Sequence, residues 1–184
     1  TQKWTLFPYT TLFRSHLAYA YEVGVEDEPG KVFQYNNVNS MLMGEILKGA
    51  TGKTAKQLIE ERLFSKIGLK NYTAWEDEAG NTLTYCCLDM SARDYSRFGI
   101  LFSRDGNWDG EQVISKDYVD ESLKLYWGST PSMGWMHSDT RGYSLQWWIS
   151  KYDDEAKIYN TSGKFGQFVF IDKERDIIFT RITK

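Results

Sequence analysis

From Val38 to Leu47 the apolar residues fall at positions 38, 41, 42, 46 and 47. That is the three-to-four spacing of one helical face, and Gly49 and Gly52 stand where such a helix would stop. A second helix is expected almost at once. Thr54 and Gln57 have capping-box spacing, Ala55, Leu58, Ile59, Leu63 and Ile67 share a face, and Gly68 offers a terminus. Asn71 to Leu83 reads as a polar loop that turns at Glu78-Ala79-Gly80. Ser91 is placed to cap a third helix, with Tyr95, Phe98, Leu101 and Phe102 inward and Gly106 at its end, and Ser115 to cap a shorter fourth. Beyond Trp127 the period changes. After a Gly- and Ser-rich stretch from Gly128 to Gly142 come four strand-like runs, Tyr143 to Ile149, Lys157 to Asn160, Phe165 to Ile171 and Ile177 to Ile182. The connections at Asp153-Asp154 and Asp172 to Arg175 are too short for crossovers, so the strands should pair antiparallel, the last two with each other in particular. Helices followed by an antiparallel sheet make an α+β layout.

Composition narrows the class. The 184 residues are 41% hydrophobic and 26% charged with net charge −3, as in one globular domain or a large part of one. No apolar run approaches the ~20 residues of a membrane-spanning helix. No basic field is present to hold nucleic acid, so a small molecule or a protein is the expected partner. The two cysteines, Cys86 and Cys87, are neighbours that cannot staple distant segments, and they are expected as reduced thiols, the other reading being a vicinal disulfide, which would be a strained redox device. His16 and His137 have no companions at metal-ligand spacing, so neither a metal nor a cofactor is expected.

The stretch Thr5 to Ser15 stands apart. Its string T-L-F-P-Y-T-T-L-F-R-S has neither amphipathic period nor signal-peptide pattern, and back-translated it matches one frame of a widely used short-read sequencing adapter. Residues 1–15 are therefore expected to be non-native, with the genuine domain covering 16–184.

Several strings invite chemistry that their context refuses. Ala50-Thr51-Gly52-Lys53-Thr54 lacks the first glycine of a phosphate loop, with Leu47 in its place and a helix upstream. Glu76-Asp77-Glu78 lacks the ligand spacing of a calcium loop and reads as a solvated acidic turn. No Gly-x-Ser-x-Gly elbow occurs, and neither histidine has a clear acidic orienter for a Ser-His-Asp set.

The segment Glu28-Pro29-Gly30-Lys31-Val32-Phe33-Gln34-Tyr35-Asn36-Asn37 is more telling, because a Pro-Gly turn and a short extended piece deliver a Tyr and an Asn to a helix start. A phenol there, beside a cation, can have its pKa lowered enough to relay protons, and an Asn two residues on can hold a carbonyl or an ammonium. Taken alone, core packing with an Asn cap explains the same residues. In company they resemble a family. Pro29-Gly30 to Asn37, Thr51-Gly52-Lys53 with Leu63-Phe64 to Gly68-Leu69, Ser91-Ala92-Arg93-Asp94 through Phe98-Gly99, Asp105 to Gly110, and Gly142 to Trp148 with Gly163 to Gln167 follow in order. Together these strings resemble the β-lactamase-related serine hydrolases, close to class C β-lactamases, esterases of that fold and nylon-oligomer hydrolases.

The resemblance implies a β-lactamase/transpeptidase-like fold and a small-molecule ester or amide substrate. It implies that Tyr35 serves as base or proton shuttle and that Asn37 is the Asn of the same box. It further implies that Thr161-Ser162-Gly163 stands where the family has K-T-G or H-T-G, with the Lys164 N–H as an oxyanion donor. Thr161 in place of the cation leans away from β-lactams and toward an esterase or amidase. The family's nucleophile lies in an S-x-x-K box, and no serine of this chain has a lysine three residues later. The chain is therefore expected to be an incomplete, inactive part of a hydrolase domain. Its compartment is left open, extracytoplasmic if an upstream segment carries a signal peptide. A non-catalytic glycan- or peptidoglycan-binding module is the other reading, with Trp75, Trp108, Trp127, Trp147 and Trp148 as sugar platforms.

Overall fold

The structure, a computed structural model, describes residues 14–127, 141–151 and 157–183. The described chain forms two compact units, one of residues up to Phe64 with Tyr72–Asp89, the other of Ser65–Asn71 with everything from Met90 onward.

The first unit opens with a helix that the hydrophobic pattern did not announce, α1 (His16–Glu22). Ser15 caps it by accepting the Ala18 N–H, and Ala20 is buried. Helix α2 (Asn37–Thr51) follows, capped by Asn36 and closed by Gly52 at φ 71, the left-handed conformation that glycine supplies without Cβ cost. Only part of the expected stripe is inside: Val38 and Met41 are buried, whereas Ile46 and Leu47 are 61% and 41% exposed. Thr54 makes the full capping box with Gln57 at the head of α3 (Ala55–Ile59). The helix does not run regularly to Ile67 as its spacing suggested. From Glu60 to Phe64 it widens into a π-turn, which inserts an extra residue per turn and rotates Phe64 into the core. The stretch read as a polar loop holds a short strand, β1 (Tyr72–Ala74), in a two-stranded sheet with β2 (Leu88–Met90). The turn at Gly80 is present, at φ 80.

The Cys86–Cys87 expectation is corrected here, because the two residues are joined in a disulfide. Adjacent cysteines are unable to link distant segments but can bond to one another, and Cys87 adopts φ 69 in doing so.

In the second unit, Ser91 caps α4 (Ala92–Ser103) and buries Leu101 and Phe102 as expected. A small hairpin, β3 (Asn107–Trp108) with β4 (Glu111–Gln112), leads to α5 (Lys116–Ser122), capped by Ser115. The C-terminal sheet runs β5 (Arg141–Tyr143), β6 (Trp148–Lys151), β7 (Lys157–Gly163), β8 (Gln167–Asp172), β9 (Ile177–Arg181) in sequence order, every neighbour antiparallel. The pairing of β9 with β8 is the one expected from their short connection. The run Tyr143 to Ile149 is not one strand. It folds back through Ser144–Trp147, with Gln146 at φ 67, so that Tyr143 faces Trp148 across a hairpin.

Helix α4 lies on one sheet face. Phe102, Val119, Leu123, Trp147, Val169 and Ile171 form the buried core between them, with Trp147 stacked on Phe98 at 5.8 Å between ring centres. Trp148 is likewise buried. This overturns the sugar-platform reading for both residues: Trp147 is held in the α4–sheet core, and Trp148 packs edge-on against Tyr143 at 4.8 Å between ring centres.

Candidate active site

The first candidate group is set by a turn. Gly30 at φ 82 lets the Lys31 N–H reach the Glu28 carbonyl at 3.1 Å, and the chain then runs extended into Asn36 at φ −143. The Asn36 carboxamide accepts the Val38 N–H at 2.8 Å. The cap duty therefore falls to Asn36, and Asn37 begins the first turn of α2. Tyr35 stands half-buried just ahead of the cap. Burial raises the pKa of its phenol above the ordinary 10.0, the reverse of the lowering expected from a neighbouring cation. At neutral pH this phenol is therefore protonated.

The second group ends β7. The Thr161 hydroxyl accepts the Val169 N–H at 3.1 Å from the neighbouring strand, so it serves the sheet. Ser162 pairs with Phe168 and Gly163 with Gln167. A Cβ at Gly163 would come 3.0 Å from that of Gln167, a tight approach that favours glycine. The hairpin then turns through Lys164 and Phe165, with the Gly166 N–H donating to the Gly163 carbonyl at 3.2 Å. Phe165 occupies the second central position at φ 63, where glycine is usual, and is 74% exposed. The Lys164 ammonium lies 5.0 Å from the centre of its ring. Phe165 escaped the sequence reading because it was counted as the first residue of a strand; the Gly163-x-x-Gly166 spacing was the available signal for a turn.

Tyr35 and Asn37 belong to the first unit, Thr161, Ser162, Gly163 and Lys164 to the second. The remaining candidates have structural work. Asp77 accepts the backbone N–H groups of His16, Ala79 and Asn81 and so clasps its own loop. His16 meets the Tyr85 hydroxyl at 2.9 Å through Nδ1, a phenol where a triad would need a carboxylate. Lys53, in the string that imitates a phosphate loop, pairs with Glu61 at a corner between two helices. Among the described residues no group of three or more His, Cys, Asp or Glu stands where it could hold a metal ion. Among them too, no helix is long and apolar enough to cross a membrane. His137 and Asp153-Asp154 lie outside the described residues.

Comparison with known proteins adds to this geometry. The family profile described as "Beta-lactamase" matches residues 2–184. A Bacillus anthracis structure assigned as a 6-aminohexanoate-dimer hydrolase is 25% identical with TM-score 0.78, and the match covers 95% of this chain and 46% of that one. A Bacteroides dorei structure assigned as a beta-lactamase is 19% identical, with TM-score 0.71, over 91% and 57% of the two chains. The octameric penicillin-binding protein homologue of Pyrococcus abyssi is 18% identical, with TM-score 0.68, over 88% and 41%. The chain thus spans roughly half the length of these neighbours. No curated protein matches it.

Proposed function

Because the chain belongs to the beta-lactamase family, whose profile runs over residues 2–184, we propose that it is part of a serine hydrolase that cleaves an ester or amide by acyl-enzyme chemistry. That match over the length of the chain is the observation that carries the reading. In this mechanism the serine of a Ser-x-x-Lys box outside these 184 residues attacks the substrate carbonyl, and Tyr35 passes the proton between nucleophile and leaving group. Asn37 holds the substrate carbonyl or a neighbouring ammonium. The Lys164 N–H, at the turn closing β7, donates to the oxyanion as the carbonyl becomes tetrahedral.

Thr161 argues for substrates without a carboxylate next to the scissile bond. A neutral hydroxyl already accepting the Val169 N–H is no substitute for an ammonium, and a simple ester or amide does not require one.

The 184 residues by themselves should hydrolyse neither a chromogenic cephalosporin nor a short-chain nitrophenyl ester, and a serine-reactive phosphonate should leave them unlabelled. Joined to an upstream segment that carries Ser-x-x-Lys, they should hydrolyse the ester, and Tyr35→Phe should then slow it by ~100-fold, the usual scale of a lost acid–base group. Stoichiometric phosphonate labelling of the 184-residue chain would mean a different nucleophile. Full ester hydrolysis by the Tyr35→Phe protein would remove Tyr35 from the mechanism.

A further inference from the structure

Cys86 and Cys87 are bonded to each other across a single peptide unit, so their disulfide closes no loop of chain and adds nothing as a staple between segments. Its effect is confined to the local backbone. Cys87 sits at φ 69, in the left-handed region that a residue with a Cβ occupies at a cost. In that conformation its carbonyl accepts the Trp75 N–H at 3.0 Å, while the Cys86 N–H donates to the Leu83 carbonyl at 3.3 Å. Both cysteines are partly buried and pack against the cluster of Ala20, Val38, Met41 and Leu83. Val38 and Met41 belong to the first turns of α2, immediately after the Asn36 cap. The pair therefore touches the core that supports the start of α2, and neither cysteine is fully buried.

A covalent bond that staples nothing, holds an unfavourable backbone conformation and leans on a core is suited to control. We propose that Cys86–Cys87 is a thiol–disulfide switch that sets how tightly the first unit packs around the start of α2. A dithiol reductant delivers two electrons and two protons; the S–S bond breaks, two thiols form, and the reductant closes its own disulfide. A disulfide of low molecular mass reverses the exchange. With the ring open, Cys87 returns to negative φ, its carbonyl turns away from Trp75, and the contacts of Leu83 with Val38 and Met41 loosen. The switch stands whether or not the hydrolase reading holds.

Alkylation and hydrogen exchange test it on the 184-residue protein. Purified in air and unfolded in iodoacetamide without reductant, it should carry no label at Cys86 or Cys87, and one at each after dithiothreitol. Exchange followed by mass spectrometry should quicken in the segments holding Trp75 and Val38–Met41 by about fivefold on reduction, the scale of losing one backbone hydrogen bond. Exchange in β8 and β9, in the other unit, should not change. The Cys86→Ser/Cys87→Ser protein should exchange at the reduced rate with or without dithiothreitol. Labelling of both cysteines before reduction, or unchanged exchange at Trp75 and Val38 after it, would overturn the proposal. Should the double variant fail to fold, the dithiothreitol titration of the unsubstituted protein decides alone.

Discussion

Gly106→Ala is expected to destabilise the second unit far more than Gly110→Ala, four residues away in the same hairpin. Both glycines have left-handed φ, 82 and 89, so alanine at either costs ~1–2 kcal/mol in backbone energy. Their surroundings differ. A Cβ at Gly110 meets nothing within 4 Å, whereas one at Gly106 would lie 2.0 Å from the Ile114 carbonyl oxygen and 2.8 Å from its carbon. That carbonyl cannot simply move. Its neighbour N–H groups on Val113 and Ile114 both donate to the Gly106 oxygen, at 2.9 and 3.1 Å, and the Ile114 side chain packs on the α4–sheet core. Losing one or both hydrogen bonds costs ~0.5–1.5 kcal/mol each, which with displacement of Ile114 puts Gly106→Ala about 2 kcal/mol or more beyond Gly110→Ala when one bond of average strength is lost. In a unit of this size that difference separates the melting temperatures by ~8–16 °C. Trp147, stacked on Phe98 in the core, supplies the fluorescence signal for thermal and urea unfolding. Equal melting temperatures for the two variants would refute the steric argument and leave only the backbone term.

In the first unit, burial and the hydrogen bond to Glu60 push the Tyr72 phenol up to about 12. Below its ordinary value of 10.0 the phenol is protonated in both folded and unfolded chains, and its contribution is complete; between there and about 12 only the unfolded chain ionises, so stability drains as pH rises. Tyr72→Phe should flatten that alkaline fall in urea titrations, and identical slopes for the two proteins would contradict the assignment. For residues 1–15, DNA amplified afresh from the source should depart from the codons of Thr5 to Ser15 and show an adapter junction in the original reads. Genomic sequence running unbroken through those codons would establish the segment as native.

The elements most legible in the sequence were those whose ends are fixed by local chemistry. Thr54 with Gln57, Ser91 and Ser115 each named a helix start, because a side-chain oxygen on an otherwise unsatisfied N–H works wherever the helix later packs. Periodicity was less faithful. It placed Ile46 and Leu47 inside, yet both are exposed, since spacing gives a face and says nothing of what covers it. The π-turn at Glu60–Phe64 interrupted the regular helix although Leu58 and Ile67 are buried as their spacing suggested, and the hairpin through Ser144–Trp147 split one apparent strand into two. That run is rich in large aromatic residues on both sides of the reversal, so alternation carried no sign of it. Helix α1 was missed because its seven residues span too few turns for a stripe to be seen.

The strings that carried the family resemblance divide by what the architecture asks of them. Asp105 to Gly110 is a tight turn with no room for side chains at Gly106. The Arg97 guanidinium donates to the carbonyls of Ile67 and Gly68, both at 2.8 Å, joining the end of one string to the middle of another. Trp147 fills the core, and Ser91 caps a helix. Caps, turns and packing account for these residues completely, so their match is evidence of fold and says nothing about chemistry. Tyr35 is different. The cap beside it is made by Asn36, and burial raises the pKa of its phenol above the ordinary 10.0. The turn after Gly163 likewise accepts an exposed phenylalanine at φ 63, where glycine would remove the cost. The strained Phe165 and the half-buried phenol of Tyr35 are therefore positions to test for function, beside Asp105, Asp109 and Gln146, which share the left-handed φ.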